Sequence, residues 1–150
     1  MKKIFLLFIL ILLSNCAYKP IFSQDKQNFY LKVTELNKNR GNKVIENRLN
    51  NYGEKNGALY FYELKIKTSE NKSIVSKNTE GNPSILRLKL ILDLQVHENK
   101  KLILKKTYNE RFDYQNISKK FELSNYENEI RKDSYNKIIS KILIDLTNLK

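Results

Sequence analysis

Between residues 85 and 97, six apolar side chains recur at every second position: Leu86, Leu88, Leu90, Leu92, Leu94 and Val96. Alternate side chains share a face only in an extended strand. The intervening positions hold Arg87, Lys89, Asp93, Gln95 and His97, with Ile91 the one apolar exception. A chain carrying this segment must contain a sheet with one dry face and one mostly polar face. It must also supply elements that cover the dry face.

Those elements are legible on either side. Residues 29–36 read as a first strand with Phe29, Leu31 and Val33 on one face. A polar turn around Gly41 follows. Asn42 is placed to cap a helix over 43–52, where Ile45, Leu49 and Tyr52 fall at i, i+4 and i+7. Gly53 and Gly57 end that helix. Residues 59–67 form a second strand, with Tyr60, Tyr62, Leu64 and Ile66 alternating against Phe61, Glu63, Lys65 and Lys67. Residues 69–84 are polar, broken at Gly81-Asn82-Pro83, with 73–76 readable as a short strand extension. After the 85–97 strand, Glu98-Asn99-Lys100 is a hairpin turn. Residues 101–114 return as a fourth strand carrying Leu102, Leu104, Tyr108 and Phe112 on one face. Lys106 and Glu110 interrupt that face, which points to a bulge or a solvent-facing outer half.

From 124 to 149, Tyr126, Ile130, Ile138, Ile142, Leu146 and Leu149 trace a helical stripe that Ile139 and Leu143 widen. Ser124 and Glu127 have capping-box spacing. The order β-α-β-β-β-α implies an α+β two-layer sandwich. A parallel β-α-β unit continues into an antiparallel meander, and two helices cover a four-stranded mixed sheet.

The N-terminus is of another kind. Lys2 and Lys3 precede an unbroken apolar run over 4–13, the length of a signal h-region and about half of a bilayer span. Leu13-Ser14-Asn15-Cys16 follows at once, and it resembles the lipobox of bacterial lipoproteins, with Asn15 where Gly, Ala or Ser is usual. The expected organisation is a signal peptide over 1–15, a lipid-anchored tether over 16–27 and one domain over 28–150. Cys16, the only cysteine, would carry a diacylglycerol on sulfur and an acyl chain on the freed amine. The alternatives are a signal anchor, or cleavage at another bond. Ala17 in place of an inner-membrane-retaining Asp favours the outer membrane.

Charge says less than its size suggests. The chain carries +12, and loss of residues 1–15 removes two lysines and no acid, leaving +10. Yet lysines outnumber arginines 23 to 5, beside 19 Asn and 16 Ile, a bias that an AT-rich genome imposes. With Cys16 lipidated, no disulfide can form within the chain, so the core alone must hold the fold.

Cys16-Ala17-Tyr18-Lys19-Pro20-Ile21-Phe22 resembles the mature start of the LPS-assembly lipoprotein LptE family, with Ala17 replacing the usual Gly. Glu46-Asn47-Arg48-Leu49 resembles that family's first-helix stretch. Residues 108–114, followed by a polar linker and a long last helix, also fit it. The resemblance implies an outer-membrane lipoprotein on the periplasmic face. Such a protein plugs the LptD β-barrel and assists its assembly while lipopolysaccharide moves to the outer leaflet. It further implies that basic side chains meet lipopolysaccharide phosphates. The candidates are Lys72 and Lys77 in the loop after the second strand, Arg87 and Lys89 on the polar sheet face, and the hairpin pair Lys100 and Lys101. Each also reads as a solvated surface residue.

Catalysis is not expected. His97 is the single histidine, no second thiol exists, and carboxylates are scattered, so neither a catalytic pair nor a zinc site can be assembled. No cofactor is called for. Tyr60, Phe61 and Tyr62 amid basic residues resemble a single-strand stacking platform, but the export signal argues against nucleic acid. The competing expectation is a lipid-anchored accessory or substrate-binding subunit of a periplasmic transporter.

Overall fold

The computed structural model describes residues 28–38, 41–53 and 58–149. Strand β1 (Phe29–Leu36), helix α1 (Asn42–Asn50), strands β2 (Tyr60–Lys77), β3 (Pro83–Glu98) and β4 (Lys101–Gln115), and helix α2 (Lys120–Thr147) follow in the expected order. The four strands lie in sequence order across one sheet, with β1 parallel to β2 and the other pairs antiparallel. The α+β two-layer sandwich is the observed architecture. Residues 1–27, with the signal peptide, Cys16 and the tether, lie outside the described residues.

All six alternating side chains of β3 are buried, with none more than 6% exposed. Tyr62, Leu64 and Ile66 of β2 and Phe29 and Leu31 of β1 join them. Helix α1 contributes Ile45 and Leu49, and α2 contributes Ile130, Tyr135, Ile138, Ile139, Ile142, Leu143 and Leu146. Gly41 is required by proximity: a Cβ there would lie 1.9 Å from the buried Tyr135 ring. The β3–β4 turn places Asn99 at φ 50° and Lys100 at φ 66°, the left-handed pair of a type I′ hairpin.

Three expectations need correction. The second strand does not stop at 67; it runs to Lys77 and pairs with β3 throughout its extra length. Alternation vanishes there because charged Glu70 and Lys72 occupy the helix-side positions. The apolar ladder of β3 organises the pairing regardless. Where β1 ends, the Asn37 amide takes over as pairing partner, donating to the Thr68 carbonyl (2.8 Å) and accepting its N–H (2.6 Å). Neither predicted cap forms. Gly41 precedes α1 while Asn42 lies inside it, its amide turned to the Asn37 carbonyl. Helix α2 begins a turn before Ser124, and Glu127 serves other partners. Finally, the fourth strand bulges near Val96/His97 and not at Lys106 or Glu110. Those two residues stay on the helix side and pair with Asp145 and Lys141 of α2.

Candidate partner-facing surface

The helices occupy one side of the sheet, so the opposite side is open. Strand register stacks its side chains in rungs across β2, β3 and β4: Ser73, Arg87 and Asp113; Asn71, Lys89 and Arg111; Lys67, Asp93 and Thr107; Lys65, Gln95 and Lys105. Cations outnumber acids on these rungs. Some are satisfied internally. The Arg87 guanidinium donates to both Asp113 oxygens at 2.6 and 2.7 Å, a fork that holds the Asp113 carboxyl below its usual range. Lys65 pairs with Glu35, and Asp93 accepts from the Thr107 hydroxyl at 2.6 Å. Lys67, Lys89, Lys105 and Arg111 remain exposed. Lys65, Lys67 and Lys105 rim an open depression of about 500 Å³ with Asp93 and Thr107. An anionic or polar wall suits such a face; an apolar one does not.

The six basic candidates fall in different places. Arg87 and Lys89 lie on the open face, Arg87 committed to Asp113 and Lys89 exposed beside Arg111. Lys72 lies on the helix side, where it is ion-paired to Glu127. Lys77 is exposed at the end of β2. Lys100 and Lys101 sit at the opposite end of the sheet, on the β3–β4 hairpin, both exposed. The fold therefore brings Arg87 and Lys89 together and keeps the other four apart from them. Sequence reasoning missed Lys67, Lys105 and Arg111. For Lys67, alternation with the buried Ile66 and Thr68 was a signal; Lys105 and Arg111 have no such flanks, and strand register was needed to place all three on one face.

A second polar assembly ties α2 to the sheet. Arg131 donates to Glu70 (2.8 Å) and to the Asn128 side chain (2.8 Å), and its side chain is 8% exposed. Glu127 accepts from Lys72 and from the Tyr114 hydroxyl (2.7 Å). Toward the helix C-terminus, Asp145 accepts from Tyr108 and from Lys106 (2.6 Å). Burial alone would raise the Glu127 and Asp145 carboxyls, but these donors and cations bring both below their ordinary values. Tyr108 and Tyr114 are pushed up by burial and then by their carboxylate partners; Tyr135 is pushed up to about 12 by burial and then by Glu70. These contacts are satisfied within the chain and leave no reactive group poised. Among the described residues, no three His, Cys, Asp or Glu side chains are placed to hold a metal ion.

Comparison with known proteins adds the fold's company. No protein-family model and no curated protein matches the chain. Solved structures do. The rare lipoprotein B of Shewanella oneidensis matches with a TM-score of 0.59 at 19% identity, over 81% of this chain and 97% of its own. This fold is one that bacterial lipoproteins carry. A minor lipoprotein of Acinetobacter baumannii matches with 0.56 at 14% identity, over 75% and 86%. Lipoprotein B of Nitrosomonas europaea matches with 0.53 at 12%, over 77% and 78%. At such identities the likeness is one of fold.

Proposed function

We propose that this chain is a lipid-anchored outer-membrane lipoprotein of the LptE kind. It fills the lumen of the LptD β-barrel and assists its assembly for lipopolysaccharide transport. The observation that carries this reading is the fold, shared over nearly the whole domain with bacterial lipoproteins. The Leu13-Ser14-Asn15-Cys16 signal and the LptE-like start at residues 16–22 support it independently.

The physical fit lies in the open sheet face. The lumen of a large outer-membrane barrel is polar and water-filled unless occupied. A two-layer domain with a closed apolar core can enter it without exposing that core. Its cationic rungs can pair with carboxylates or phosphates there. The role is one of binding, with no reaction catalysed.

Affinity purification of the tagged protein from detergent-solubilised membranes tests this. Recovery of a large β-barrel protein in stoichiometric amount is expected. Recovery of an inner-membrane ATPase complex instead would transfer the chain to the transporter-accessory class.

A further inference from the structure

We infer that the end of the domain nearest the tether is itself a membrane-docking surface, seated on anionic phospholipid headgroups of the leaflet that holds the lipid. The inference rests on the Cys16 anchor. Twelve residue steps separate Cys16 from Asn28 and span at most about 40 Å. The Asn28 carbonyl accepts the Leu59 N–H at 2.8 Å, which fixes where the described chain begins. Phe29 pairs with Tyr60, Glu63 with His97, and Glu98 with Lys101, so Asn28, Leu59 and the β3–β4 hairpin share one end of the sheet.

That end has the composition of an interfacial surface. Leu59 is 72% exposed and Leu102 47%. Tyr30 of β1 and Phe61 of β2 stack on the open face at the same end, with centroids 4.6 Å apart. Lys100 and Lys101 crown the hairpin, both exposed, with the half-buried Glu98 opposite Lys101 in register. Exposed leucines, a tyrosine-containing aromatic pair and exposed lysines are what the headgroup region accepts. The opposite end also exposes Ile74, Val75 and Phe121. It lies the length of β3 away, about 50 Å for sixteen residues, farther than the tether extends. The bilayer therefore meets the hairpin end. A tether this short gives a millimolar effective concentration, so a weak contact suffices. The docked state is that of the anchored domain outside the barrel, before it enters the lumen.

The test uses the full chain, processed in the cell and extracted from membranes. Leu59→Cys, and separately Gln115→Cys at the far end, provides a site for a thiol fluorophore. Each protein is weighed intact and reconstituted into vesicles containing a headgroup-spin-labelled lipid. One set is phosphatidylethanolamine with phosphatidylglycerol and the other phosphatidylcholine alone. In the anionic vesicles, the Leu59 probe is expected to be quenched and the Gln115 probe not. Lys100→Gln with Lys101→Gln, whose melting should be unchanged, is expected to lower the docked-to-free ratio about 25-fold, at about five-fold per lysine. An acylated protein whose two probes are quenched alike, or whose Leu59 quenching ignores both lysines and lipid charge, overturns the docking and leaves the anchor standing. A mass without acyl chains, with Cys16 labelled as a second thiol, overturns the anchor and the docking together.

Discussion

At the scale of single residues, the helix-to-sheet carboxylates are the clearest feature that sequence alone did not disclose. Glu70, Lys72, Glu127 and Arg131 look like ordinary surface charges in the chain. Only the pairing of β2 with β3 and the seating of α2 bring them together. Glu127→Gln would leave Lys72 without its carboxylate and remove the one 3.8 Å from the Arg131 guanidinium, and should cost about 1–3 kcal/mol by chemical denaturation. Lys72→Ala, at a more solvated position, should cost under about 1 kcal/mol. The same network sets the pH range. The folded-state values of Glu127 and Asp145 are depressed, so their contribution is complete above the unfolded carboxylate range. It is lost as pH falls through the folded values. Tyr108, Tyr114 and Tyr135 are raised, so their contribution is complete below the ordinary tyrosine value of 10.0 and is lost as pH climbs beyond it. Denaturation midpoints should therefore be level between these limits and fall below pH about 4 and above pH about 10. Gly41→Ala drives a Cβ into the Tyr135 ring and should destabilise by about 2 kcal/mol or more, read by thermal melting.

At the scale of elements, β3 was legible nearly end to end because its two faces differ in chemistry along most of its length, Ile91 being the central exception. Leu90→Asp puts an unpaired charge at a position 1% exposed and should abolish the folded state in circular dichroism. Lys89→Asp, one residue away on the open face, should fold normally. Equal behaviour of the two would contradict a one-sided strand. The extension of β2 was largely illegible because both of its faces are polar, and its helix-side charges are neutralised by a distant helix. The same cause hid the meaning of Lys106 and Glu110. A charge on a core face reads as an interruption until its partner on α2 is known. The predicted caps failed because both helices begin earlier than the polar residue chosen: Asn42 lies inside α1, which Gly41 precedes, and Ser124 lies a turn inside α2. The β3–β4 turn carries one avoidable strain. Lys100→Gly, at φ 66°, should raise stability by about 1 kcal/mol.

At the scale of the whole molecule, the β-α-β-β-β-α order and the sheet-plus-two-helix layering followed from periodicity alone. The open face did not. Alternation shows that one face is polar, but not which cations become neighbours or which are already paired. Arg87 is bound to Asp113, whereas Lys67 and Lys105 stand free around a depression. That division matters for the lumen-filling role, because only free cations can engage a wall or a lipid phosphate. Ile91, the apolar exception at the centre of the open face, is the natural vantage point. A photo-crosslinking side chain at Ile91, activated in living cells, reports what lies against that face. The expected product is one discrete adduct containing a large outer-membrane β-barrel. A protein found uncrosslinked there, or joined to an inner-membrane transport complex, would contradict the lumen-filling role.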